Sequence, residues 1–351
     1  KHASLTVRAQ SLFRLSEAQW RMQDSEAAIK NAQQAIDLFQ AAGDKSGAGR
    51  AYWSLGNAYY NLNRAEDLRL CAHAALELCQ QAGDQYGIGN TYNMFSLIDT
   101  DIVERIQHTQ QSILAFEKAG YEERKGIALG NLALVYSELG LYPHSHHLQS
   151  EVVEMTRNMG AKLSLAYGLG NITEAEIALG ALDSARAHLK ELAELVPTIG
   201  DPFMDSNLAS GLGSLALAEG DFKAAIRYIK TAVQIARQAL TERENIYLTT
   251  LGQAHLANGD PAAALKATKR AADLHRAQAF AQPDGFTSQE IWWRHTQALL
   301  ANKKTKEASK ALERAHGFLL ERIANLRDDG LRRNYLNKVK ANRELLQYWV
   351  K

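Results

Sequence analysis

Two cysteines, five prolines and no large excess of either charge set the first limits on this chain of 351 residues. Cys71 and Cys79 stand eight positions apart. On one helix, at about 1.5 Å rise per residue, their Cα atoms lie about 12 Å apart, beyond the roughly 7 Å that a disulfide spans. They read as small buried apolar residues in a reducing compartment. The shortage of proline removes the commonest helix breaker. No apolar run reaches the roughly 18 residues of a membrane-spanning helix. No signal peptide opens the chain, and it begins with lysine, so it reads as a fragment of something larger or as a processed product. Forty basic against 39 acidic residues, net +1, provide no bulk attraction for nucleic acid or an anionic membrane. Strand-like alternation is missing as well.

What is present points to helices. Apolar residues make up 46% and charged residues 23%, typical of a folded chain long enough for two ordinary domains or one repeat array. Ala, Leu, Glu, Gln and Arg, all good helix formers, dominate. Glycines recur after helical runs at Gly43, Gly83, Gly120, Gly160 and Gly200, in steps of 40, 37, 40 and 40. A second series sits half a period away: Gln23, Asn63, Thr100, Gly140, Gly180, Gly220, Gly259 and Lys303. Each unit is therefore a pair of helices with a tight turn after each. Gly accepts the left-handed conformation that ends a helix. Asp201-Pro202 and Asp260-Pro261 then supply an N-cap and a first-turn proline, and Thr241 to Glu244 (TERE) has capping-box spacing.

The spacing Leu212, Gly213, Gly220, Phe222, Ala225 and Ala232 resembles the tetratricopeptide repeat. Leu251, Gly252, Gly259, Ala264 and Ala271 repeat it, as do Leu55, Gly56, Tyr59 and Ala75. A period of about 40 instead of 34 resembles the longer-helix variants of bacterial signalling ATPases, MalT-like regulators and quorum-peptide receptors. The likeness covers roughly residues 10 to 325. It implies an all-α, right-handed solenoid of about eight pairs: 9–22 with 24–41, 47–61 with 64–82, 87–99 with 101–119, 125–139 with 142–159, 162–179 with 181–198, 202–219 with 221–239, 242–258 with 260–279, and 287–301 with 304–326. Repeat three lacks a glycine at its inner turn and is three residues shorter. The link AFAQPDGFT before repeat eight is longer than the others. Residues 1–327 form the repeat domain on this reading. Residues 328–351, with Tyr335, Leu336, Val339, Leu345, Leu346 and Trp349, form a helical cap. That segment also resembles the one that leads, in large signalling proteins, into further domains.

Chemistry is harder to find. His144, His146 and His147 crowd one stretch, but zinc needs ligands converging on one face, and no motif-spaced Cys or carboxylate accompanies them. The glycine pairs of ALGNLA and GLGNIT lack the phosphate-loop pattern and its strand, and read as helix-packing positions. No nucleophile–base spacing is evident. The basic residues near the end, among them Lys303, Lys304, Arg332 and Arg333, are interleaved with acids and read as a solvated surface. The expectation is a non-enzyme with no metal and no cofactor.

The first helix of each pair, helix A, should line the concave wall. The family uses helix-A positions five, six and nine there. Carried through the register, these positions and their neighbours are Arg50, Trp53, Asn57, Tyr60, Asn90, Asn131, Tyr167, Asn171, Asn207, Trp293 and Arg294. An Asn amide donates and accepts at once, as a peptide backbone requires. The resemblance implies a cytoplasmic module that binds a protein, a peptide or another domain of its own chain, not nucleic acid and not membrane. It would be the sensor part of a larger bacterial signalling or regulatory protein. The alternatives are a free-standing receptor for a small signalling peptide and an enzyme on a helical-repeat scaffold.

Overall fold

The computed structural model describes residues 2–99, 101–283 and 285–350, with side chains from residue 5 onward. Among the described residues there are eighteen α-helices and no strand. Sixteen helices form eight consecutive A/B pairs: α1 (His2–Arg21) with α2 (Ser25–Ala42), α3 (Lys45–Asn61) with α4 (Ala65–Ala82), α5 (Gln85–Ile98) with α6 (Ile102–Ala119), α7 (Glu122–Glu138) with α8 (Tyr142–Asn158), α9 (Lys162–Leu179) with α10 (Leu182–Ile199), α11 (Pro202–Glu219) with α12 (Phe222–Ala239), α13 (Glu244–Ala257) with α14 (Pro261–Ala277), and α15 (Ser288–Ala301) with α16 (Thr305–Ala324). The first helix starts earlier than the periodicity predicts. The tail is two helices, α17 (Asp329–Lys338) and α18 (Lys340–Trp349), turning at Val339.

The turn chemistry is that of the two sequence series. All the glycines in both adopt positive φ, and Gln23, Asn63 and Lys303 take the same left-handed conformation without being glycine. Thr100, the remaining member, lies outside the described residues. Asp24, Asp44, Asp84, Asp101, Asp201, Asp221, Asp260 and Asp328 each accept an N–H of the following first turn. Each such cap contributes about 1 kcal/mol. One sequence expectation is corrected here: the TERE stretch forms no capping box. Thr241–Arg243 is a 3-10 turn, and α13 starts after Arg243 without a side-chain cap. Glu244 is drawn instead to Arg237 (2.8 Å) and Arg270 (3.7 Å), because two guanidinium groups outbid one backbone amide. In the link before α15, Ala279 and Phe280 take positive φ; Asp284 lies outside the described residues.

The chain divides into two compact units, residues 1–132 and 133–351, the division falling within α7. In the first, Phe13, Ile36, Phe39, Trp53, Leu55, Leu68, Met94 and Phe95 form a core. In the second, Leu165, Leu169, Ile172, Leu189, Leu192, Val196, Met204 and Leu215 do so. A fully buried Phe or Leu in such a core is worth about 1.5–3 kcal/mol. Helices within a pair approach closely where the A helix has glycine. A Cβ on Gly213 would fall 2.4 Å from Ile229 Cγ1, and one on Gly252 2.2 Å from Thr268 Cγ2.

Successive A helices also pack on one another: α1 on α3 and α3 on α5 in the first unit, α9 on α11, α11 on α13 and α13 on α15 in the second. The B helices share no comparable interface with one another among the described residues. Tighter spacing of the A layer curves each unit with that layer inside. At the C-terminal end, α18 packs on α15 and α16 through Ala341, Asn342 and Leu345, and Tyr335 of α17 is buried. Gln289 Nε2 donates to the Tyr335 hydroxyl and to Asn342 Oδ1. The last pair is thus closed by satisfied polar groups as well as apolar ones.

The candidate inner wall

In the first unit most of the expected wall residues have partners inside the chain. Arg50 forms a bidentate ion pair with Asp84, at 2.6 and 2.8 Å, and lies 5.0 Å over the Tyr86 ring. Asp84 also accepts from Ser46 and caps α5 through Gly87 N–H. Burial alone raises the Asp84 pKa, but the bonds from Arg50, Ser46 and Gly87 outweigh it and hold the carboxyl below its usual range. Arg50 is therefore a strut between α3 and the start of α5.

Trp53 is 6% exposed, edge-on to Trp20 at 5.9 Å, with the Arg124 guanidinium 6.0 Å from its ring. Asn57 donates to the Trp53 carbonyl, one turn back on its own helix. Asn90 is buried, and Tyr60 is exposed. Asn131 donates to Asn93 Oδ1 at 3.0 Å, tying α7 to α5. Asn93 was not singled out in the sequence, although it lies one 40-residue step beyond Trp53.

The second unit differs. Tyr167 is exposed and leans on Phe203 with ring centroids 5.5 Å apart, and Arg243 lies 4.9 Å from the Phe203 ring. Asn171 and Asn207, on adjacent A helices, are each half-buried, and neither amide makes a hydrogen bond among the described residues. Asn207 sits where Gly170 makes room: a Cβ there would lie 2.5 Å from Asn207 Nδ2. One turn beyond Asn171 stands Glu174. Its side chain is open to solvent yet surrounded by protein, as a group inside a concave enclosure is. Burial pushes its pKa up to about 7, Glu290 and Glu138 add to the effect, and Arg243 opposes it. Burial likewise raises Tyr142 to about 12, with Glu174 and Glu290 contributing and Arg343 opposing. Glu138, Tyr142, Glu174, Arg243, Glu290 and Arg343 thus share one electrostatic neighbourhood. Glu174 occupies the register position of Asn57, and that was its only sequence signal.

Trp293 and Arg294 are covered by the chain's own tail. They are 3% and 4% exposed. Trp293 Nε1 donates to Glu344 Oε2 at 3.1 Å, Arg294 meets the same oxygen at 2.7 Å, and Tyr348 packs on the Trp293 ring at 5.6 Å. With Trp53 and Asn90, they are the expected wall residues that are buried, because neighbouring helices take up their surfaces.

His144 and His147 are exposed on α8, whereas His146 turns inward. Its Nε2 lies 3.5 Å from the buried carboxylate of Glu176, which also meets His188 Nδ1 at 2.9 Å. No group of three side chains suited to a metal ion occurs among the described residues. Both cysteines lie on α4, free and buried, and burial pushes each thiol up to about 12. No helix among the described residues is long and apolar enough to cross a membrane.

The tetratricopeptide-repeat family model matches residues 9–41 and 210–238, one segment in each unit. No curated protein matches the chain. Among solved structures, a Rap protein complexed with competence and sporulation factor aligns with a TM-score of 0.64 at 13% identity, covering 100% of this chain and 99% of that one. The chain has a tetratricopeptide-like repeat fold. NprR in complex with its cognate peptide NprX gives 0.61 at 12% identity, covering 97% and 99%. A signal-transduction ATPase from Pyrococcus horikoshii with a tetratricopeptide repeat sensor gives 0.56 at 16% identity, covering 73% of this chain and 42% of that one. At these identities the likeness is one of fold, and the tetratricopeptide-like architecture itself leaves the partner open.

Proposed function

We propose that this tetratricopeptide-like domain is a non-catalytic module that binds a protein or peptide along the inner wall of residues 133–351, as the sensor part of a cytoplasmic signalling or regulatory protein. One observation carries the reading. Tyr167, Asn171 and Asn207 stand together on three turns of two adjacent A helices, accessible, with amides that make no hydrogen bond among the described residues. An amide that can donate and accept matches an extended backbone, and the exposed tyrosine ring offers apolar area at low entropic cost. Glu174, one turn beyond Asn171, adds a carboxyl whose charging a positive group on the partner would favour. The solved structures of similar fold include two in complex with competence and sporulation factor and with the peptide NprX, which supports a peptide-sized occupant.

The test is peptide-display panning on the full chain and on the Asn171→Ala/Asn207→Ala double variant. Sequences enriched on the first should bind the second at least tenfold more weakly. Equal retention on both would remove the inner wall from consideration. The end-to-end coverage of NprR and the Rap protein favours a second reading, a self-contained receptor for a short signalling peptide. It requires one short peptide that raises the melting temperature increasingly with concentration, as mass action demands.

A further inference from the structure

The C-terminal segment meets the chain again at the far side of the second unit. Arg322 Nη2 lies 2.9 Å from Glu138 Oε2, 184 positions away. Asn334 Nδ2 donates to the carbonyl of Leu139, 195 positions away. The backbone of Lys338 and Val339 lies against Gly140, where a Cβ would come within 2.8 Å of Lys338 Cβ and 3.2 Å of Val339 N. A solenoid needs no such contact, since each pair is stabilised by its neighbours alone. Within residues 133–351 it turns an open array into a closed ring.

This seam is built differently from the rest of the ring. Each helix pair is joined to the next by buried aliphatic side chains, and α18 is anchored through the buried Ala341, Asn342 and Leu345. Among the described residues the seam shows one ion pair, one side-chain hydrogen bond and backbone laid on a glycine, beside the buried Leu139 and Tyr335. Both members of the ion pair are partly exposed, at 27% and 22%. Pairs of that kind contribute little and are screened by salt. Inside the ring, burial and the nearby Glu290 and Glu138 raise the cost of charging Glu174.

We propose that the contact of α17 with Glu138–Gly140 is a gate: the ring parts there, α17 moving with α15, α16 and α18, and the parting admits a partner to Tyr167, Asn171 and Asn207. The role as a gate rests on that wall being the binding face. The opening itself does not, and it is measured without any ligand.

The experiment is hydrogen exchange, followed by mass spectrometry, on the full chain at low salt and in 1 M NaCl (a concentration at which the screening length falls to about 3 Å). A Gly140→Cys/Lys338→Cys variant, whose Cβ atoms would face each other at the seam, is compared oxidised and reduced. The native thiols are buried and poorly ionised, so oxidation falls on the new pair. The amides of residues 339–342, which lie at the seam and open α18 without intrahelical partners, are expected to exchange at least tenfold faster than those of α15. Salt and Arg322→Ala should speed them further, and the oxidised crosslink should slow them at least tenfold while reduction restores the rate. If these amides exchange no faster than α15, or if the crosslink leaves them unmoved, the seam is a permanent part of the ring and the gate is wrong. A crosslink that slows exchange in a chain for which display panning finds no peptide would keep the opening and discard the binding face.

Discussion

In residues 1–132 the polar groups of the inner wall are engaged with one another; in residues 133–351 several are not. Arg50 is held by Asp84, Asn57 by the Trp53 carbonyl and Asn131 by Asn93. Tyr167, Asn171 and Asn207 keep their polar atoms unspent. The same register positions thus do two kinds of work. A paired side chain fixes the angle between neighbouring A helices and is missed by the fold when removed. An unpaired one adds nothing to the fold and is available to something outside it. A buried polar group without a partner costs stability, whereas a wet one does not, so accessible unpaired amides persist in a stable array at no penalty.

The sharpest way to break this contrast is Arg50→Ala. It strips Asp84, whose side chain is 6% exposed, of its bidentate partner, and the expected loss is about 2–3 kcal/mol, below the roughly 3–5 kcal/mol of a fully buried pair because Arg50 is 31% exposed and Ser46 and Gly87 still bond the carboxylate. Denaturant unfolding reads it as a lower midpoint. Asp84 is held below its usual pKa, so the stability that its bonds supply is present above the unfolded carboxylate range and is lost as pH falls through the lowered value. The contrast fails if Arg50→Ala leaves the midpoint in place and abolishes peptide capture instead.

Next in size is the double change Asn171→Ala/Asn207→Ala. It should lower retention of display-selected peptides at least tenfold while shifting stability by no more than about 0.5 kcal/mol, as for surface substitutions. A large loss of stability with capture intact would put both residues in the same class as Arg50.

Glu174→Gln sharpens the picture through pH. In the folded chain Glu174 holds its proton up to about 7, whereas the unfolded chain releases it near 4.5. Between those values the native state binds more protons, so stability falls as pH rises through the window and levels off above it. In the Gln variant that decline should be absent. His295 works in the opposite direction: burial lowers it to about 4, so its contribution is lost as pH falls below 6.5. Denaturation curves from pH 5 to 8 for the two chains separate the effects, and superimposable profiles would show that Glu174 is ordinarily solvated.

The smallest expected effect tests the turns. Lys303 stands at φ 60° in a place where four of the eight repeats have glycine. Lys303→Gly should raise stability by about 0.5–1 kcal/mol, since an L side chain is strained there and glycine is not. A loss in the unfolding midpoint would mean that the lysine makes a compensating contact.

Much of the architecture is legible in the sequence because its determinants are local. The 40-residue step, the glycines that end helices, the aspartates that start them and the small residues at pair crossings all act within a few turns of chain. Even where Gln23, Asn63 and Lys303 replace glycine, the periodicity locates the turn. The TERE stretch misleads for an equally physical reason: Glu244 has the right spacing for a cap, and two arginines from neighbouring helices take it elsewhere.

From the residues alone follow the all-helical class and the eight pairs, since 3.6-residue periodicity and turn chemistry are properties of short segments. Only the tertiary structure decides which inner residues are spent. It sets Asn93 opposite Asn131, lays α18 over Trp293 and Arg294, encloses Glu174 among other carboxylates, and brings Asn334 to Leu139 across 195 positions. Those relations depend on the curvature that accumulates over many pairs, and curvature is a sum of small packing angles that no single segment of sequence encodes.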